Sequence, residues 1–135
     1  MPGQGAPEPP APDAEGVVAS AVEIVEIEEA ARLLADGSAR AVFSDAELAY
    51  ARARSDPARR LAARLAAKRA AARLLGDGLE EAEVEVVRGE YGPPALRLSP
   101  RGLSRLQALG AARALVSLTH ERSQAAALVV LVRGA

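Results

Sequence analysis

The sequence contains no cysteine, and its only aromatic residues are Phe43, Tyr50 and Tyr91. The absence of cysteine excludes disulfides, zinc–thiolate sites and thiol chemistry together. With so few aromatic side chains, the hydrophobic core must consist of leucine, valine and alanine. Such a core fills a small monomer poorly, so we expect the subunits to associate.

Long apolar runs are also missing. The longest, Ala125–Val132, has the length of one strand and is far shorter than the roughly 20 residues of a membrane-spanning helix. The N-terminus lacks the basic and apolar segments of a secretory signal. We therefore expect a cytoplasmic protein that does not bind membranes.

The N-terminal segment differs in composition from the rest of the chain. MPGQGAPEPPAPDAEG is rich in proline, glycine and alanine and shows no periodicity. We expect residues 1–15 to form a flexible tail. Residues 16–135 contain enough apolar material for a modest core, which predicts a single domain.

Residues 56–78, DPARRLAARLAAKRAAARLLGDG, predict one long alanine-rich helix that ends in a glycine loop. Asp56 is the expected N-cap, and Pro57 suits the first turn. Gly76 and Gly78 provide the positive φ angles that end the helix. The other elements are expected to be arranged around this helix.

Lys68 falls on the apolar stripe of this helix, which consists of Leu61, Leu65, Ala72 and Leu75. A lysine in this position either extends its ammonium group to solvent or meets an anion. The Gly-x-Gly loop that follows is suited to phosphate oxygens. Composition alone favours the first interpretation.

Positive charge is concentrated in residues 52–73, which contain eight basic residues and the single acid Asp56. Acids cluster in the flanking segments 13–29 and 77–90. This pattern suits a polyanionic small ligand or an acidic protein surface. Nucleic acid is not expected, because no stacking aromatics and no known nucleic-acid module are present. A solvated arginine-rich face explains many of these charges equally well.

The rest of the chain alternates between short strands and helices. The first strand is apolar on both faces and is expected to be covered on both sides. Its Glu23 lies among apolar residues and needs a partner, which could be a cation, a metal or water. Ser44 and Glu47 form a capping box, and His120 lies at a turn, where a surface role is the usual one. Strands are predicted at 17–25, 82–88, 95–98, 113–118 and 124–132, and further helices at 26–36, 45–54 and 99–110.

Four segments in this order carry a family resemblance. They are VVASAVEIVEI at 17–27, VFSDAELAY at 42–50, RLAARLAAKRAAARLLGDG at 60–78 and VSLTHE at 116–121. Together they resemble the holo-acyl-carrier-protein synthase type of 4′-phosphopantetheinyl transferase over nearly all of 17–132. The family has Asp-Ile-Val-Glu-Ile in the first segment, and Lys-Glu-Ala followed by Gly-Thr-Gly in the third.

The resemblance implies an α+β protomer, in which helices pack on an antiparallel sheet, and a homotrimer with coenzyme A between neighbouring protomers. It also implies Mg²⁺-dependent transfer of the phosphopantetheine arm of coenzyme A to a serine of an acyl carrier protein. The two metal-binding positions of the family correspond here to Glu23 and Arg69. The positions expected around the phosphate groups of coenzyme A are Lys68, Arg73, Gly76, Gly78 and His120.

Arg69 departs from the family pattern, because it replaces a metal-binding glutamate. A guanidinium group offers only hydrogen-bond donors, so it cannot ligate Mg²⁺ and would repel it. We expect Arg69 to pair with Glu23 in place of the ion and to contact a diphosphate directly. The site is then expected to contain no metal.

The helix at 26–36 departs as well, because Arg32 is its only basic residue among several acids. Ordinary docking of a carrier protein on this helix should be weak. We interpret the chain as a degenerate member of the family, with a structural, binding or repurposed role on coenzyme A or carrier-bound intermediates. The alternative is an active transferase with an unusual metal site. A new reaction in the same cleft is a weaker third interpretation.

Overall fold

The structure is a computed structural model that describes residues 16–88 and 92–134. The predicted tail at 1–15 lies outside the described residues. No helix within the described ranges is long and apolar enough to cross a membrane. The elements are, in chain order, β1 (Val17–Glu26), α1 (Ile27–Asp36), a 3₁₀ turn (Ser38–Ala41), α2 (Asp45–Arg52), α3 (Pro57–Leu75), a second 3₁₀ turn (Glu81–Glu83), β2 (Val84–Arg88), β3 (Pro94–Leu98), α4 (Pro100–Ala108), β4 (Arg113–His120) and β5 (Gln124–Val132).

The strands form two antiparallel sheets, one with the order β1-β5-β4 and the other a hairpin of β2 and β3. In the larger sheet Glu23 of β1 is opposite Ala127 of β5, which is opposite Leu118 of β4. The helix α3 packs against β1 and β5 on one face of this sheet, and α1 and α2 pack against α3. The predicted α+β class is therefore confirmed, and the strands predicted at 82–88 and 95–98 pair with each other.

The helix α3 is enclosed by other elements over most of its length. Every residue from Leu61 to Lys68 is buried. Alanine predominates in this stretch, and its small side chain lets strands and helices approach the helix closely from several directions. The core is composed of leucine, valine and alanine with a single phenylalanine, Phe43, as the composition predicts.

The ends of α3 agree with the prediction except at the N-cap. Gly76 and Gly78 adopt φ angles of 70° and 72°, which suit glycine and end the helix. Pro57 begins the helix. Asp56 is not a cap, because its carboxylate accepts hydrogen bonds from the side chains of Arg59 and Arg60 and not from the backbone of the first turn.

The outer face of the larger sheet is apolar and uncovered in the protomer. Val22 is 57% exposed and Ile24 is 61% exposed, and Leu115 and Leu128 of the neighbouring strands are exposed on the same face. The prediction that β1 is covered on both sides is therefore wrong for the protomer. The physical reason is that the helix α3 packs against only the other face of the sheet.

Candidate active site

Five charged residues meet beside the middle of α3. Arg69 and Arg73 lie one turn apart and on the same side of the helix. They face Glu23 of β1, Glu29 in the first turn of α1 and Glu81 in the second 3₁₀ turn. We refer to these five residues as the arginine–glutamate cluster. It contains one more carboxylate than guanidinium groups.

Arg69 is the centre of this cluster. Its Nη1 and Nη2 donate to the two carboxylate oxygens of Glu29 at 3.2 and 2.5 Å, and its Nε donates to Glu81 at 2.8 Å. The hydrogen bonds from Arg69 lower the pKa of Glu29 in spite of its partial burial. The same contacts raise the pKa of Arg69. Both groups are therefore charged at neutral pH, and the fork-like pairing fixes the plane of the guanidinium group.

Arg73, and not Arg69, is the partner of Glu23. Nη1 of Arg73 lies 2.6 Å from Oε2 of Glu23, and Nη2 donates to the carbonyl oxygen of Val22 at 3.2 Å. The predicted pairing of Arg69 with Glu23 is wrong. Arg69 pairs instead with the acids of α1 and of the second 3₁₀ turn, which lie closer to its guanidinium group. Glu23 meets the expectation that a carboxylate on this strand face needs a partner.

The cluster does not fit Mg²⁺, the ion that the family resemblance implies. Mg²⁺ requires short contacts to oxygen ligands in near-octahedral geometry, but each of the three carboxylates already accepts a bond from an arginine. A guanidinium group about 4 Å from the ion would repel it by roughly 8 kcal/mol at an effective dielectric constant of about 20. Among the described residues, no group of three or more acidic or histidine side chains is arranged to hold a metal.

Lys68 lies in the core, although it neighbours Arg69 in sequence. Its side chain is 1% exposed, and its Nζ is 2.7 Å from Oε1 of Glu47 and donates to the carbonyl oxygen of Val84. Burial lowers the pKa of Lys68, and the charge of Glu47 opposes this effect. The interpretation that Lys68 extends to solvent is wrong, because the capping-box residue Glu47 supplies a buried counter-charge. In this protomer the ammonium group presents no surface to a phosphate.

Glu47 has two roles that the sequence shows only in part. Its Oε1 accepts from the backbone of Ser44, and Ser44 accepts in return from the backbone of Glu47, which confirms the capping box. Its Oε2 accepts from the backbone nitrogen of Val86. Glu47 and Lys68 therefore join α2, α3 and β2 through one buried ion pair.

The glycine loop after α3 is held by arginines of α4. Arg101 donates to the carbonyl oxygens of Asp77 and Gly78 and to Glu83, and Arg105 donates to the carbonyl oxygen of Leu75. A Cβ atom at Gly78 would meet nothing within 4 Å. The glycine is therefore needed for its φ angle, and the loop surface stays open for a ligand to approach.

The contact between Arg101 and Glu83 predicts a pH effect on stability. The hydrogen bond from Arg101 lowers the pKa of Glu83 from an ordinary value of 4.5 to about 2. On acidification the unfolded chain binds the proton first, so the stabilisation is complete above pH 4.5 and is lost as the pH falls toward 2. We expect Glu83→Gln to lose less stability than the wild type over this range in urea unfolding. The exposed Glu121→Gln should behave as the wild type, and an identical acid profile for Glu83→Gln would contradict the assignment.

His120 does not join the cluster within one protomer. It lies at the end of β4, and β5 separates it from the strand that carries Glu23. Because neighbouring strands are about 5 Å apart, the two outer strands are separated by roughly 10 Å. The His120 side chain is exposed and borders a surface cavity of about 280 Å³ together with Ile24 and Gln124.

A second basic site, the arginine cavity, was not predicted. It has a volume of about 260 Å³ and lies between α2 and the hairpin. Its polar lining consists of Tyr50, Arg64, Glu85, Arg88 and Arg97, and Glu85 pairs with Arg97 at 3.3 Å. Arg64 is buried and stacks on the ring of Tyr50 at 4.1 Å, and its Nε has no hydrogen-bond acceptor within the described part of the chain. The only signal in the sequence that points to this site is the general excess of arginine in α3.

Burial raises the pKa of the Tyr50 hydroxyl, but the hydrogen bond with Arg54 and the charges of Arg64 and Arg88 outweigh this effect. The pKa of Tyr50 therefore lies below its ordinary value. Burial also lowers the pKa of Arg64. The shift of Tyr50 has the sign expected of a site with neighbouring positive charges, which favour an anionic ligand.

Comparison with known proteins gives consistent matches over most of the chain. No protein-family model matches. A holo-acyl-carrier-protein synthase of Anaeromyxobacter sp. is 40% identical over 118 residues, which cover 82% of this chain and 91% of that protein. The protein of the same name from Thermus thermophilus is 44% identical over 119 residues, covering 85% of this chain and 93% of its own.

Solved structures agree with these sequence matches. The holo-acyl-carrier-protein synthase of Neisseria meningitidis has a TM-score of 0.74 at 24% identity and covers 85% of this chain and 98% of its own. A Chronobacterium ammoniagenes structure, described as a complex of that synthase with coenzyme A, has a TM-score of 0.66 at 27% identity and covers 87% of this chain and 99% of its own. These relatives carry no indication of degeneracy, so they favour the alternative of an active enzyme over our main sequence-based interpretation.

Proposed function

The chain belongs to the holo-acyl-carrier-protein synthase family, and on that premise we propose that it transfers the 4′-phosphopantetheine arm of coenzyme A to a serine of an acyl carrier protein. The observation that carries the proposal is the 40–44% identity to proteins of that name, which extends over more than nine-tenths of their length. The coenzyme A complex of a relative supports the choice of donor.

The described surfaces offer cations to the phosphate groups of coenzyme A. Arg73 is 59% exposed at the edge of the arginine–glutamate cluster, and Arg69 borders a surface depression of about 330 Å³ with Leu79 and Glu81. The arginine cavity provides a further place for a phosphate, because three arginines, Arg64, Arg88 and Arg97, line it. Charge-assisted hydrogen bonds from arginine to phosphate are short and strong.

We expect the docking surface for the carrier protein to include residues outside α1. The one basic side chain of that helix, Arg32, donates to Glu28 of the same helix at 3.2 Å. Acidic residues surround it, so α1 repels an acidic recognition surface. We propose that this protein acts on a carrier with a less acidic docking surface or through residues outside α1.

The exposed apolar face of the larger sheet supports association into a homotrimer. Val22, Ile24, Leu115 and Leu128 would be covered by neighbouring protomers, and an inter-protomer cleft would bring His120 of one chain toward the cluster of another. We expect light scattering at micromolar concentration to give a trimer mass and Ile24→Glu to give a monomer. A monomer mass for the wild type would exclude this assembly.

A second candidate function is binding of coenzyme A or of a carrier-bound intermediate without transfer. Arg69 favours it, because a cation stands where the family resemblance implies a carboxylate ligand. The two functions are distinguished by incubating the protein with coenzyme A and an acyl carrier protein and measuring the mass of the carrier. A carrier that gains phosphopantetheine supports transfer, and an unchanged carrier beside bound coenzyme A supports the second function.

A further inference from the structure

We propose that Arg69 and Arg73 act as a fixed cation pair that takes the place of a metal ion and binds the diphosphate of coenzyme A directly. The proposal rests on the proposed function, because it assumes that coenzyme A is the ligand. Two guanidinium groups carry together the same charge as one Mg²⁺. They lie one turn apart on α3, and Arg69 borders the surface depression together with Glu80 and Glu81, whereas Arg73 lies outside its lining.

The hydrogen-bond inventory leaves donors for a phosphate. A guanidinium group has five N–H donors. Arg69 uses three of them, one to Glu81 and two to Glu29. The cluster contacts therefore leave one hydrogen on each Nη atom of Arg69. Arg73 contacts Glu23 and the carbonyl oxygen of Val22 through its two Nη atoms, so it keeps donors on its exposed side as well.

The three carboxylates orient the pair and also neutralise its charge, so a diphosphate binds by displacing a carboxylate contact. Glu29 holds Arg69 in a bidentate contact, so the guanidinium plane is set before a ligand arrives. Glu23 has a single contact to Arg73, whose side chain is the more exposed of the two arginines. A phosphate group that approaches Arg73 therefore has only one carboxylate contact to replace. Preorganised donors of this kind cost little reorganisation when the ligand binds.

The same arrangement disfavours the binding of a metal ion. An ion close enough to bridge Glu23 and a phosphate would lie near both guanidinium groups, which repel it. The pair instead offers directional hydrogen bonds at a fixed position. Binding of coenzyme A should then be independent of Mg²⁺, whereas a metal-bridged diphosphate requires it.

Calorimetry of the full chain with coenzyme A tests this proposal. We expect the Kd in excess EDTA and in millimolar Mg²⁺ to agree within about twofold. Arg73→Gln should weaken binding about tenfold or more in both buffers, because charge-assisted bonds to phosphate contribute roughly 1.5–3 kcal/mol each. Arg69→Lys, which keeps the charge and loses the fork, should also weaken binding. Arg32→Gln on α1 is the matched control and should bind as the wild type.

Dephospho-coenzyme A, which lacks the 3′-phosphate and keeps the diphosphate, identifies the group that the pair contacts. Arg73→Gln should weaken the binding of both ligands by the same factor. The proposal is overturned by a tenfold or greater gain in affinity from Mg²⁺, by the absence of binding in EDTA, or by an Arg73→Gln protein that binds as the wild type. Melting curves exclude unfolding of the variants as the cause of lost binding.

The outcome is separable from that of the proposed function. Metal-independent binding of coenzyme A without modification of any carrier would uphold the cation pair and refute transfer. Transfer that appears only with Mg²⁺ would uphold the transferase function and refute the cation pair.

Discussion

Lys68→Met is expected to lower the free energy of unfolding by about 3–5 kcal/mol, because it leaves Glu47 charged and unpaired in the core. The pair is buried on both sides, with side-chain exposures of 1% and 0%. Methionine has a similar length and fills the space, so the loss reports the missing charge and not a cavity. Urea unfolding followed by circular dichroism measures it.

The double variant Lys68→Met with Glu47→Gln is the control. Glutamine removes the buried charge and keeps one acceptor oxygen, so it retains the hydrogen bond from only one of the two backbone nitrogens, Ser44 or Val86. We expect the double variant to be more stable than Lys68→Met alone. A loss below about 1 kcal/mol for Lys68→Met would show that Glu47 is solvated or protonated and that the pair is not an essential contact.

The double variant Glu23→Asp with Arg69→Glu is expected to convert the cluster into a Mg²⁺ site. The change gives the cluster four carboxylates against the single guanidinium group of Arg73 and removes one of the two cations that repel the ion. Without metal these carboxylates repel one another, so the melting temperature should fall. Mg²⁺ should restore it, because a ligand that binds only the folded state stabilises by RT ln(1 + [L]/Kd).

The same variant should show transfer that depends on Mg²⁺ by about 100-fold, the order of effect that one removed electrostatic contact has in enzyme active sites. The wild type should show no such dependence. Glu23→Asp alone, with Arg69 still in place, should bind no Mg²⁺ in calorimetry. Binding of Mg²⁺ by that single variant, or by the wild type, would mean that Arg69 does not exclude the ion.

Much of the fold could be predicted from local signals in the sequence. The capping box at Ser44 and the glycines after α3 each depend on neighbouring residues, and these predictions are confirmed. Asp56 shows the limit of such signals, because Arg59 and Arg60 compete for its carboxylate. The uncovered face of β1 could not be predicted, since the number of layers packed on a strand is a tertiary property.

The site could be predicted less well, because its contacts join distant segments. Glu47 and Lys68 are both identifiable from sequence. Capping already accounts for Glu47, and composition favours extension of the Lys68 ammonium group to solvent. The partners of Arg69, on α1 and the second 3₁₀ turn, depend on how these elements pack on α3. The burial of Arg64 could not be predicted among so many arginines, because it depends on the position of α2 and of Tyr50.

Mass spectrometry of an acyl carrier protein after incubation with this protein and coenzyme A tests the central claim most directly. The reaction is run in parallel in excess EDTA and in millimolar Mg²⁺, with an established synthase of the family as the positive control for the carrier. We predict that the carrier gains phosphopantetheine at similar rates in both buffers. An unmodified carrier in both would contradict the transferase assignment, and modification in Mg²⁺ alone would contradict the cation pair.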